Sequence, residues 1–261
     1  MQAHPRHLIN SAHAELWPAW LLRARRNADA RALATATWVV RSRDGGYLAT
    51  IDATRNIHPL PPLQSSRNAD AWRALALDGA SPQAPVHALP MHGLERRLLE
   101  LGLDADDYAQ RSGLMQVPEP ARLALAGFDR YRRPLWLGEG AGRAWNRMRT
   151  AAASDGVALD AISGYRSHAY QMGIFARKRA RGLSVDDILA VNAAPGFSEH
   201  HSGDALDIGT DGEAPAEESF ERTAAFRWLS GHAGDFGFNL SYPRDNPHGI
   251  VYEPWHWRWH G

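Results

Sequence analysis

The chain has 261 residues, enough for one or two domains with a sizeable buried core. Its 29 Lys and Arg balance 29 Asp and Glu, and a formal net charge of zero argues against a broad electrostatic footprint on nucleic acid or an anionic membrane. Cysteine is absent, which excludes disulfides, thiolate metal sites, iron–sulfur clusters and a thiol nucleophile, while 13 His and 10 Trp stand out. No run approaches the roughly 18 apolar residues of a membrane span. The N-terminus lacks a signal peptide's basic start, apolar middle and cleavage site. A chain complete as written is expected in the cytoplasm; a chain whose leader has been removed is not so restricted.

In chain order, Leu16 to Leu33 reads as a helix with Pro18 in its first turn. Two β-rich runs follow, ATATWVVRSR and YLATIDA, joined by Asp44-Gly45-Gly46, a hairpin signal. Pro-bearing stretches at 58–66 and 81–90 break regular structure and put a boundary near residue 92. Residues 1–92 then form an N-terminal accessory region of helix and β-hairpin, and 93–261 a second domain. In the latter, helices are expected at Leu94–Gln110, Glu139–Ala153, His168–Arg181 and Ser219–Ala233, with strands at Val157–Ile162, Ala205–Ile208 and Phe238–Tyr242. Ser167 and Ser184 read as N-caps and Gly182 as a helix stop. The economical packing is α+β: a small, mainly antiparallel sheet flanked by helices.

Three segments carry residues suited to chemistry. In EPWHWRWHG, a strand would turn Trp255, Trp257 and Trp259 to one face and His256, Arg258 and His260 to the other. For the tryptophans alone, a core strand is sufficient. Glu253 lies three residues before His256, and a break at Pro254 would bring the two to one side. Upstream, SEHHSGDALD (198–207) offers His200 in a Gly-rich loop and Asp207 on the next strand. Two imidazoles and a carboxylate suit zinc and leave a fourth position for water. In SGYRS (163–167), Arg166 sits at a strand-to-helix turn and supplies a permanent cation for an oxyanion or a substrate carboxylate.

Together SGYRSHAYQ, SEHHSGDALDI and YEPWHWRW resemble the D-alanyl-D-alanine carboxypeptidases of the VanY type, zinc metallopeptidases grouped with the D-Ala-D-Ala dipeptidases and the hedgehog signalling domain. The resemblance covers about residues 120 to 261, with FDRYRRPLWL similar to the approach to the first motif. It implies one catalytic Zn2+ held by His200, Asp207 and His256, a general base at Glu253, Arg166 beside the scissile carbonyl, and Ser198 and Gln171 lining the substrate site. His201 and Asp204 depart from the usual pattern and are expected near the metal. The implied activity is hydrolysis of the terminal D-Ala-D-Ala bond of peptidoglycan stem peptides, at the cell envelope or periplasm for a chain whose leader has been removed. The implied partner is that stem peptide, with no nucleic acid and no transmembrane segment. Alternatives are a peptidoglycan endopeptidase, an L,D-carboxypeptidase with the same zinc site, and a non-catalytic zinc-stabilised binding module. Residues 1–92 match no part of the resemblance.

Overall fold

A computed structural model describes residues 4–12, 14–24, 27–60 and 88–261. The chain separates into two compact units: Met1–Leu89 with Pro120–Ala124, and Pro90–Glu119 with Leu125–Gly261. Most of 58–66 and 81–90, and Arg25 and Arg26 within the expected first helix, lie outside the described residues.

In the first unit β1 (His7–Asn10), β2 (Ala14–Pro18), β3 (Ala36–Ser42), β4 (Tyr47–Asp52) and β5 (Ile57–Pro59) are antiparallel neighbours, with helix α1 at Asn27–Ala34. The helix expected from Leu16 is therefore a strand at its start: Leu16 pairs with Val40 across β3 and is buried. Two strand neighbours override a helical pattern that, read alone, had nothing to pack against. Strand β5 likewise includes His58 and Pro59, where a break was expected. The Asp44-Gly45-Gly46 turn does join β3 and β4, with Gly45 at φ 95, a left-handed conformation that suits glycine. The first residues of β6 (Arg122–Phe128) return to this sheet, Leu123 opposite Leu8. The unit is thus richer in strand than the sequence reading of helix and hairpin.

The second unit begins with α2 (Leu94–Leu99) and α3 (Ala105–Ser112), where one helix was expected. Gly102 at φ 74 ends the first, and Asp104 caps the second by accepting the Asp107 N–H at 2.9 Å. Next come β7 (Pro134–Leu137), α4 (Glu139–Ser154), β8 (Asp160–Ser163) and α5 (His168–Arg179). Ser167 caps α5 through Tyr170 N–H at 3.0 Å. A capping box opens α6 (Val185–Leu189), Ser184 and Asp187 bonding reciprocally. Strand β9 (Ala205–Gly209), helix α7 (Ala224–His232), β10 (Phe238–Leu240) and β11 (His256–Trp259) complete the fold. The expected helix over 219–233 is interrupted at Thr223, whose hydroxyl caps α7 by accepting Phe226 N–H. The strands expected at 157–162 and 238–242 are shorter at one end, starting at Asp160 and stopping at Leu240.

Strands β10, β11, β9 and β8 form one antiparallel sheet in that order, so this is the α+β architecture with a small antiparallel sheet. Its apolar face packs on α4 and α7 in a cluster that includes Trp145, Met148, Leu206 and Trp257. A second cluster gathers Leu98, Phe175, Ile188 and Phe197. Three connecting segments run from one cluster to the other: Ala161 to Phe175, Phe197 to Leu206, and Ile250 to Trp257. Each is pinned at both ends, and each carries part of the site described next. Phe175 is fully buried, so Phe175→Ala should destabilise the second unit by about 3–5 kcal/mol, read as a lower urea midpoint.

Candidate metal centre and cleft

Register sets the geometry. In the antiparallel pair β9/β11, His256 lies directly opposite Asp207, so both side chains project on the same face of the sheet. The turn Pro254-Trp255 then folds the preceding chain back, with His256 N–H donating to Glu253 O at 3.1 Å. This brings Glu253 Oε2 within 3.9 Å of His256 Nδ1. His200 enters from a 3-10 turn, Glu199–Ser202, closed by Gly203 at φ 79. Its Nε2 lies 3.2 Å from Asp207 Oδ1, and His256 Nδ1 lies 3.1 Å from the same oxygen. One donor atom from each of His200, Asp207 and His256 falls within 4.8 Å of the others, all three residues being buried.

The outer contacts of the two imidazoles decide what those donors are. His200 Nδ1–H donates to Gly164 O at 2.7 Å, which leaves Nε2 as the lone-pair nitrogen. That atom is buried without a hydrogen-bond partner, although the Asp207 oxygen is so near. Two lone pairs facing each other at this distance repel unless a cation lies between them. On the other ring, His256 Nε2–H donates to Glu199 Oε2 at 2.8 Å and turns Nδ1 inward. Glu199 is itself held by Arg258 at 3.0 Å. The donor set fits a divalent cation with three protein ligands, each imidazole oriented by a second hydrogen bond, as metal-binding histidines are.

Electrostatics follow the same arrangement. Burial opposes charge on Asp207, but His200, His256 and Arg166 outweigh it and hold the carboxyl well below its ordinary range. Burial, reinforced by Arg166, depresses His200 to about 4. Burial also opposes charge on His256, yet the Asp207 and Glu199 carboxylates raise it to about 10 in the metal-free protein. Glu253 is pushed up to about 7, chiefly by burial.

Arg166 follows the β8 end on a tightly fitted loop. A Cβ on Gly164 would meet Leu135 Cδ1 at 2.8 Å and the Trp136 carbonyl oxygen at 2.9 Å, so only glycine fits there. The guanidinium reaches Asp207 at 4.0 Å and keeps its Nε buried without a hydrogen-bond partner. Behind the loop, Glu119 accepts from Tyr165 OH at 2.6 Å and His168 N–H at 2.8 Å. Ser198 and Gln171 are buried and line the cleft, a space of about 250 Å³; Gln171 donates to Ala193 O at 3.0 Å and leaves its own Oε1 unpartnered.

His201 and Asp204, expected near the metal, are not among the three donors. His201 does not face the metal position: its Nδ1–H donates to Arg166 O at 2.6 Å and its Nε2 accepts from Gly196 N–H at 3.0 Å, tying two loops together. Asp204 packs against Gly138 instead, its Oδ1 2.5 Å from where a Cβ on that glycine would stand. Sequence reasoning missed Glu199 and Arg258, although both lie within the singled-out motifs and Arg258 shares the His256 face of its strand. It also missed Glu119, far away in sequence and without a local signal.

The VanY family, described as D-alanyl-D-alanine carboxypeptidase, matches residues 135–261. A D-alanyl-D-alanine carboxypeptidase of Enterococcus faecalis (strain ATCC 700802 / V583) is 36% identical over 121 residues, 42% of this chain and 43% of that protein. The bifunctional D-Ala-D-Ala dipeptidase and D-Ala-D-Ala carboxypeptidase VanXYC of Enterococcus gallinarum is 30% identical over 155 residues, 57% of this chain and 78% of the relative. Among solved structures, the LdcB LD-carboxypeptidase is 32% identical with a TM-score of 0.50, covering 55% of this chain and 70% of that one. The chain belongs to the VanY family. It spans 55%, 43% and 33% of the lengths of three curated relatives that it matches. No helix among the described residues is long and apolar enough to cross a membrane.

Removing the Glu119 carboxylate takes one acceptor from the buried His168 N–H and one from the part-buried Tyr165 hydroxyl. Glu119→Ala should cost about 1–3 kcal/mol of stability, measured by urea denaturation of the second unit.

Proposed function

We propose that residues 93–261 form a zinc-dependent carboxypeptidase domain that removes the terminal D-alanine from peptidoglycan stem peptides, with residues 1–92 as an accessory region. The observation that carries this reading is the convergence of three buried donor atoms beside a carboxyl 3.9 Å from one of them, in an open cleft. The names of the relatives supply the substrate class. Such a substrate implies action at the cell envelope or periplasm.

His200, Asp207 and His256 would hold one Zn2+. When bound, zinc supplies Lewis-acid stabilisation of negative charge on oxygen and makes water more acidic. Glu253 takes a proton from the attacking water as its oxygen bonds to the peptide carbonyl carbon. It then gives that proton to the leaving amine as the C–N bond breaks. The raised Glu253 carboxyl suits a group that must both accept and return a proton near neutral pH. Arg166 donates to the carbonyl oxygen as it becomes an oxyanion, its unpartnered Nε being available for that bond. Gln171 Oε1, buried and unpartnered, accepts a peptide N–H, and Ser198 orients the same strand of substrate.

The likeness to LdcB favours one second reading: the same centre acting on the L,D bond of a tetrapeptide. Zinc-loaded protein incubated with a muropeptide pentapeptide and, separately, a tetrapeptide distinguishes the two by mass spectrometry. Loss of one alanine from the pentapeptide, blocked by a chelator, is the expected outcome; an intact pentapeptide overturns the D,D reading. Glu253→Ala should lower kcat by about 10²–10⁴-fold while retaining one zinc per chain. Asp207→Ala should lose the zinc itself, measured by elemental analysis after dialysis.

A further inference from the structure

One arginine and one lysine line the cleft, Arg166 and Lys178. Arg166 faces Asp207. Lys178 is half-buried on the last turn of α5, and its ammonium has neither an ion pair nor a hydrogen bond among the described residues. Its surroundings are mostly repulsive: burial, then the charges of Arg181 and Arg166, push its ammonium below the ordinary range, and only Glu253 pulls the other way. An ammonium directed into a cleft beside like charges, with no carboxylate of its own, is a site waiting for an anion.

Its position says which anion. Gln171 and Lys178 are seven residues apart on α5, so they share one face about 10 Å apart along the helix axis. Arg166 stands just before the N-cap of the same helix. The three therefore line one wall in the order Arg166, Gln171, Lys178. A peptide with its scissile carbonyl at Arg166 carries its terminal carboxylate one residue farther on, about 3.5 Å of extended chain. Lys178 lines the same cleft, and its ammonium is within electrostatic reach of both Arg166 and Glu253. Val191 and Val251, both on the cleft lining and exposed at 39% and 42%, offer an apolar rim for a small side chain.

We propose that Lys178 binds the free α-carboxylate of the substrate's C-terminal residue and thereby makes the site an exopeptidase. This rests on the carboxypeptidase reading above. Lys178 becomes a specificity-determining residue: its ammonium pairs with a terminal carboxylate and has nothing to pair with in an amidated or chain-extended end.

The test uses the full chain loaded with zinc and two peptides, an N-acyl-L-Lys-D-Ala-D-Ala and its C-terminal amide. Lys178→Met keeps the length of the side chain and removes the charge. It should raise KM for the free acid on the order of tenfold to a hundredfold with kcat little changed. Kinetics on the amide should not change, and Lys178→Arg should recover most of the loss. Equal losses on both peptides, or no loss on the free acid, overturn the assignment. An unaltered melting temperature for Lys178→Met separates lost binding from lost folding.

Calorimetry on zinc-loaded Glu253→Gln keeps the two proposals distinguishable. If the parent protein cleaves neither peptide, the proposed activity fails, yet a free-acid Kd weakened by the same factor in Glu253→Gln/Lys178→Met sustains the carboxylate site. Equal Kd values, or no binding to either protein, overturn it.

Discussion

The antiparallel register of β9 against β11 is the constraint on which the rest of the site depends. It sets His256 opposite Asp207, and a slip of one residue would turn both side chains to the other face of the sheet. That register is held by apolar packing on the reverse face, where Leu206 and Trp257, themselves a cross-strand pair, sit fully or nearly fully buried. The same two strands thus present a dry face to α4 and α7 and a charged face to the cleft. Strand alternation makes the two inseparable.

Around that pair, orientation comes from groups that face away from the cleft. Gly164 O fixes one imidazole and the Glu199–Arg258 pair fixes the other, so each ring turns its free nitrogen inward. His201 performs a different task one residue from His200. It ties the backbone of Arg166 to that of Gly196 and so couples the position of the guanidinium to the loop that carries His200. Burying so many polar groups is costly unless every one is paired. Of the buried atoms without a hydrogen-bond partner around the site, His200 Nε2, Arg166 Nε and Gln171 Oε1 belong to residues that line the cleft, where a ligand can complete them, whereas Arg258 Nε lies behind it.

How much of this was legible in sequence differs from element to element. Ser167, Ser184 and the Asp44-Gly45-Gly46 turn are local signals whose physics acts within a few residues, and the structure uses each as read. The break at Pro254 was equally local, because proline cannot extend the ladder. Leu16 failed because its environment is supplied by Val40, 24 residues away, and a helical pattern cannot register a strand neighbour. The long helices over 94–110 and 219–233 failed at Gly102 and Thr223, where a stop or a cap outweighs a continuous apolar rhythm. At the site, His200, Asp207, His256 and Glu253 were visible as residue types in ordered motifs. Glu199 was hidden beside them, since its role depends on which way the His256 ring turns. Lys178 was hidden for another reason: on α5 it reads as one more basic residue in a last turn rich in them.

The distribution of charge in the cleft connects these parts. Asp207 carries a firmly held negative charge, and Glu253 is poised near neutrality by burial. Opposite them stand two basic side chains, Arg166 and Lys178, of which only the first has a carboxylate at ion-pair distance. A divalent cation at the three donors would add two further positive charges, leaving a cleft with a positive surplus at low dielectric, where Coulomb interactions are strong. Such a cleft favours substrates that bring their own negative charge and penalises those that do not. A peptide ending in a free carboxylate meets that condition, and an internal peptide bond does not. On the proposed reading, the charge balance of the wall formed by α5, more than the three donors themselves, would separate cleavage at a chain end from cleavage within a chain. The donors and Glu253 would serve either reaction equally well.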